Sequence, residues 1–121
     1  MNLDRLRVYL LQKKGTTEEQ PFGPEALVFK VVGKMYALIA WEDTPLSLTL
    51  KCDPDLALSL REQYAAVQPG YHMNKKHWNT IALDGAISDD EILAFIDHSY
   101  NLVVKTLKKS DREMLERSPA S

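Results

Sequence analysis

Residues Leu27–Trp41 read LVFKVVGKMYALIAW. Two β-rich runs flank Gly33-Lys34, and a glycine in first place of a two-residue connection predicts a type II′ hairpin turn. The longest apolar run inside this stretch, Met35–Trp41, falls far short of the roughly 20 residues that a membrane helix needs. A hairpin is therefore the seed of the fold.

Working outward, Glu42-Asp43-Thr44-Pro45 makes the next turn and LSLTLK alternates cleanly, with Leu46, Leu48 and Leu50 inward and Ser47, Thr49 and Lys51 outward. The three runs form an antiparallel meander with at least one polar face. Upstream, TTEEQPFGP reads as a loop because Pro21, Gly23 and Pro24 forbid continuous regular structure. Before it, Asn2 caps a helix with Leu3, Leu6 and Leu10 at helical spacing, and Gly15 suits its end.

Downstream, Asp53-Pro54 starts a second helix whose stripe is Leu56, Leu60 and Tyr64, and Pro69-Gly70 stops it. WNTIALDG supplies a fourth strand with Ile81 and Leu83 on one side. Ser88-Asp-Asp-Glu91 is a capping box opening a long helix through Leu93, Ile96, Tyr100, Val103 and Leu107. A second box, Ser110-Asp-Arg-Glu113, opens a short last helix. The order α-β-β-β-α-β-α-α gives an α+β class, an antiparallel sheet with helices packed on one face, in a single domain over residues 1–121.

Composition narrows the function. The N-terminus carries charges inside its apolar part and does not read as a signal peptide. The single Cys52 excludes an internal disulfide framework and suits a reducing cytoplasm, where it packs as a small buried residue. Fifteen Lys and Arg against seventeen Asp and Glu give a net charge of −2, so phosphate binding requires a local basic patch. Five acids and no base lie within residues 84–97, whereas cations gather at Arg5, Arg7, Lys13 and Lys14, at Lys75 and Lys76, and at Lys105, Lys108, Lys109 and Arg112.

The segments PFGPEALVFKVVGKMYAL, LKCDPDLALSLREQY, VQPGYHMNKKHWNTIALDG and HSYNLVVKTL, in that order, resemble the MmcQ/YjbR family of small bacterial cytoplasmic proteins. That resemblance implies a compact domain similar to frataxin and to type III secretion chaperones. It also implies the label of a DNA-binding protein, and it brings no catalytic residues with it.

The chemistry-bearing stretch is Pro69–Thr80, PGYHMNKKHWNT. His72 and His77 stand five apart and His98 lies on a distant helix, a spacing that fits no zinc pattern, so no metal or other cofactor is expected. Adjacent helical residues point in different directions, so His98 and Ser99 form no nucleophile–base pair, and no glycine-rich phosphate loop exists. The chain therefore reads as non-enzymatic. Double-stranded DNA is the first expected partner, with contacts from Asn74, Lys75, Lys76, His77 and Asn79 and a neighbouring wing from Lys30 and Lys34. The alternative is a protein-interaction module through Tyr71, Met73 and Trp78. Against both stands a structural role for the stretch, with Trp78 anchoring a strand.

Overall fold

A computed structural model describes residues 1–70 and 73–117. The hairpin forms the middle of the sheet, with β2 (Ala26–Val31) and β3 (Lys34–Ala40) paired antiparallel. Its turn differs from the expected one. The connection is Val32-Gly33, with φ of 47° and 81°, and Lys34 is drawn into β3 opposite Val31. Left-handed backbone at both central residues marks a type I′ turn, whose twist matches that of the strands.

Strands β4 (Ser47–Lys51) and β6 (Trp78–Ala82) complete the four expected ones. Two short strands extend the sheet at its edges, β1 (Thr16–Glu19) and β5 (Val67–Pro69), giving the antiparallel order β1-β2-β3-β4-β6-β5. The segment after Gly15 is thus loop only from Gln20 onward. Thr16 and Thr17 are β-branched and nothing blocks pairing until Pro21. Pro69, which donates no backbone hydrogen bond, lies on the edge strand, where it is tolerated.

The helices are α1 (Leu3–Leu11), α2 (Pro54–Gln63), α3 (Asp89–Lys105) and α4 (Lys109–Arg117). Asn2 caps α1 through the Arg5 amide and Ser88 caps α3 through the Glu91 amide. Helix α2 is shorter than expected and turned. Tyr64 is extended, Ala57 and Leu60 face the core, and Leu56 is 37% exposed. Tyr64 instead donates to Glu91 at 2.7 Å, which ties α2 to the start of α3. Helix α4 begins at Lys109, so the Ser110–Glu113 motif lies within its first turn rather than at its cap. No helix among the described residues is long and apolar enough to cross a membrane.

One hydrophobic core joins these elements. Leu27, Phe29, Ala37, Ile39, Leu48, Leu50 and Ile81 point from the sheet to Leu6, Leu10, Ile92, Ile96 and Val103 of the helices. Two polar side chains pin the layers together inside it. Ser99 has no solvent exposure; its Oγ donates to the Tyr36 carbonyl at 2.6 Å and accepts from the Lys51 amide at 2.9 Å. Tyr36 is equally buried, donates to the Leu10 carbonyl at 3.1 Å and meets Tyr100 edge to face at 5.2 Å.

Replacing Ser99 by Ala strands the Lys51 amide and the Tyr36 carbonyl in the core. Urea unfolding of Ser99→Ala should show a loss of about 1–3 kcal/mol. A loss within the ordinary surface range of about 0.5 kcal/mol would contradict the bridging role.

The buried titratable groups favour their neutral forms. Burial pushes the Cys52 thiol from 9.0 up to about 11 and raises the Tyr36 phenol. Burial, with a hydrogen bond to Asp97, pushes Tyr9 from 10.0 up to about 12. Each folded value lies above the unfolded one, so the stabilisation is fully present below the unfolded value and lost as pH rises through the folded one. Stability is therefore expected to hold to about pH 9 and to fall between about pH 9 and 12, with Tyr9→Phe shrinking the upper part of that fall. Denaturant midpoints at stepped pH check this, and a flat profile would refute it.

Candidate interaction surface

The strand register settles what the other face of the sheet carries. Val28, Leu38, Thr49 and Thr80 lie in one row across β2, β3, β4 and β6. With Ala26, Met35 and Ala40 they place apolar atoms on a face that no described helix covers. Leu38, Met35, Thr49 and Thr80 floor a groove of about 660 Å³, walled by Phe22 from the β1–β2 loop and Met73 from the β5–β6 loop. Phe22 is 69% exposed. The expectation of a polar outer face holds only in part: Thr49 and Thr80 are polar, but their hydroxyls hydrogen-bond each other at 2.8 Å.

The groove has two unlike ends. Antiparallel register sets Ala26, Ala40 and Ser47 at one end, with Asp43 accepting from the Ser47 hydroxyl at 3.1 Å. Exposed Glu42 lies beside Asp43. Lys51 and Trp78 stand opposite each other at the other end, near Met35 and Met73.

The loop leading into β6 is held from below. Arg61 on α2 donates through Nε to the Asn79 side chain at 2.7 Å and through its terminal nitrogen to the carbonyls of Lys75 and Trp78. The Asn74 carboxamide accepts from the Lys76 amide at 3.0 Å, and the His77 carbonyl accepts from the Cys52 amide at 2.7 Å. Gly70 lies so close to β6 that an added Cβ would come within 2.7 Å of the Trp78 Cβ. Met73 lines the groove, and Lys75 and Lys76 are exposed on the turn.

Of the expected DNA-contact residues, Asn74, Lys75, Lys76 and His77 share one turn, and Asn79, Lys30 and Lys34 are engaged elsewhere. Asn79 is 2% exposed and its carboxamide is taken by Arg61 and the Ala57 carbonyl, so it is corrected to a core residue. Lys34 caps the C-terminal end of α3 through the Thr106 carbonyl at 3.1 Å, and Lys30 pairs with Glu19 at 3.5 Å, so both lysines of the expected wing have intramolecular partners. His77 and Trp78 are half-buried, whereas Asn74, Lys75 and Lys76 are exposed. Neither Lys75 nor Lys76 has an acidic partner among the described residues. Tyr71 and His72 lie outside the described residues.

Several other charged residues hold the structure, whereas Lys105, Lys108, Lys109 and Arg112 are exposed. Arg7 grips Glu18 with two hydrogen bonds at 2.6 and 2.9 Å. Lys13 pairs with Asp97 at 2.5 Å and lies over the rings of Tyr9 and Tyr100. Asp89 binds Arg5 at 2.9 Å, and the Met1 amine and Arg5 lower its pKa. The His98 Nε2 accepts from the Asp53 amide at 3.2 Å, at the start of α2. Asp89, Asp90, Glu91 and Asp97 therefore belong to α3 in the helix layer, and Asp84 stands in the exposed loop between β6 and α3.

Reading the sequence missed Phe22, Met35 and Leu38. A signal existed: LVFKVV and MYALIA do not alternate, and unbroken apolar runs mark strands with apolar groups on both faces.

Comparison with known proteins finds relatives in sequence and in fold. A profile of the YjbR family matches residues 11–102. The protein YjbR of Escherichia coli K12 is 32% identical over 115 residues, which cover 95% of this chain and 98% of that one. YbdF of Escherichia coli O157:H7 is 41% identical over 93 residues, covering 77% and 76%. A Deinococcus radiodurans crystal structure superposes with a TM-score of 0.90 at 39% identity, covering 99% of this chain and 91% of that one. A Pseudomonas syringae crystal structure does so at 0.73 and 32%, covering 84% and 98%. The chain belongs to the YjbR family.

Proposed function

We propose that the protein is a non-enzymatic binding module that holds apolar side chains of a partner protein against the helix-free face of its sheet. The observation that carries this is the groove floored by Met35 and Leu38 and walled by Phe22 and Met73. Its volume lies in the range of specific binding sites, and a solvent-exposed aromatic beside two flexible thioethers suits an adaptable contact surface. Among the described residues Asp43 is the one ionisable side chain lining it, and its carboxylate already accepts from Ser47. A reducing, cytoplasmic setting fits the single buried Cys52.

Duplex DNA is the second reading, favoured by the two exposed lysines Lys75 and Lys76 with Asn74 and His77 beside them. Two phosphate contacts give a log–log salt slope of about −2, so raising salt from about 50 to about 200 mM should cost roughly tenfold in affinity.

Display selection with random peptides of about twelve residues, near three helical turns, tests the module. Enriched peptides are expected to bind wild type with little salt dependence. They should lose at least about tenfold in affinity to Leu38→Asp, which sets a carboxylate in an apolar floor, and to the loop variant Met73→Ser. Circular dichroism confirms that both variants are folded. No enrichment, or enriched peptides that bind both variants as well as wild type, would overturn the proposal. Salt-sensitive binding of a labelled generic duplex, lost in Lys75→Ala/Lys76→Ala, would put the DNA reading in its place.

A further inference from the structure

The groove is electrically polar along its length. At the Ala40 and Ser47 end stand Asp43 and, one residue before it, exposed Glu42. Two and three residues after Met73 come Lys75 and Lys76, exposed and without acidic partners among the described residues, and Lys51 stands opposite Trp78 on the same face. Lys30, the other cation of the Met73 end, is offset by Glu19. Between the two ends the lining is apolar or is hydroxyl already paired with hydroxyl. Five residue steps along β3, from Met35 to Ala40, set the length at about 17 Å, matching about eleven residues of helix.

A symmetric apolar slot would accept a segment in either direction. A slot with opposite charges at its two ends selects one, because reversed binding sets like charges together at both ends. We propose that the groove takes an amphipathic segment of a partner protein in one orientation, its acidic end at Lys75 and Lys76 and its basic end at Glu42 and Asp43. This rests on the reading of the groove as the binding face and adds the chemistry of the partner: an apolar stripe about three turns long with oppositely charged flanks. Duplex DNA fits poorly, since its phosphates would meet Glu42 and Asp43 at one end and an apolar floor between.

Two experiments test the direction. First, the peptide selection is run in parallel on wild type and on Lys75→Glu/Lys76→Glu. Wild type should enrich sequences with Asp or Glu at one end and Lys or Arg at the other. The charge-reversed variant should bind those peptides about three- to tenfold more weakly, as loss of two exposed ion pairs dictates, and should instead enrich peptides without the acidic flank. Second, a nitroxide on the acidic end of an enriched peptide should broaden the backbone NMR signals of residues 73–78 and spare those of 41–43. A nitroxide on the basic end should do the reverse.

Peptides that need Leu38 and Met73 but show no charge polarity, or that broaden both ends alike, would overturn the orientation and leave the binding face standing. Peptides indifferent to Leu38→Asp and Met73→Ser would overturn both. A labelled generic duplex that displaces the peptides and broadens residues 41–43 and 73–78 together would also overturn it, in favour of nucleic acid.

Discussion

The Ser99 hydroxyl reaches two central strands at once. From the buried face of α3 it donates to the Tyr36 carbonyl of β3 and accepts from the Lys51 amide of β4, with no solvent access. Both partners are backbone groups, so the bridge fixes the height and rotation of a 17-residue helix on the sheet without depending on any other side chain. Apolar packing is not directional, and a helix held by packing alone could slide or turn by a residue. A buried hydroxyl with both of its bonds made removes that freedom, because any slip leaves polar groups unpaired in the core. Tyr36 then carries the register onward to α1 through the Leu10 carbonyl and to α3 again through the ring of Tyr100.

With the helix layer committed to one face, the other face must meet solvent or a partner. Its composition is unusual for a solvated sheet surface, since Val28, Leu38 and Met35 lie in its middle, with Glu19, Lys30 and Lys51 toward its margins. Val28 is 1% exposed, shielded by its neighbours, but the row around it remains open as a groove. The same architecture sorts the charges. Arg5, Arg7 and Lys13 are tied to acids, namely Asp89, Glu18 and Asp97. Lys75 and Lys76 have no acidic partner among the described residues. Arg61 contributes by donating to the Asn79 carboxamide and to the Lys75 and Trp78 carbonyls, which ties the turn before β6 to α2.

The α+β class, the hairpin and most helix starts were legible in the sequence because local chemistry specifies them: Ser88 and Asn2 cap helices, and Gly33 admits a left-handed turn. Tertiary pairing decided the remainder. Thr16–Glu19 becomes a strand only because β2 offers it an edge, and Leu56 turns outward because Ala57 fits closer to Asn79. The candidate site was legible only at Met73, Lys75 and Lys76. Asn79 looked available because its neighbours in sequence are polar, yet strand alternation sends it inward opposite Leu50. Lys30 and Lys34 looked like a basic wing, and their partners, Glu19 and Thr106, come from distant stretches of chain. Phe22 was hidden in a segment read as a plain loop.

In the proposed reading the helix-free face, and not the helix layer or the lysine turn alone, receives the partner. Methyl NMR of ¹³C-methionine-labelled protein tests this most directly, because Met35 and Met73 lie in the groove while Met1 and Met114 lie outside its lining. On titration with a groove-selected peptide, the Met35 and Met73 methyl signals should shift together and saturate, with Met1 and Met114 unmoved. Stationary Met35 and Met73 signals under saturating peptide would contradict the claim.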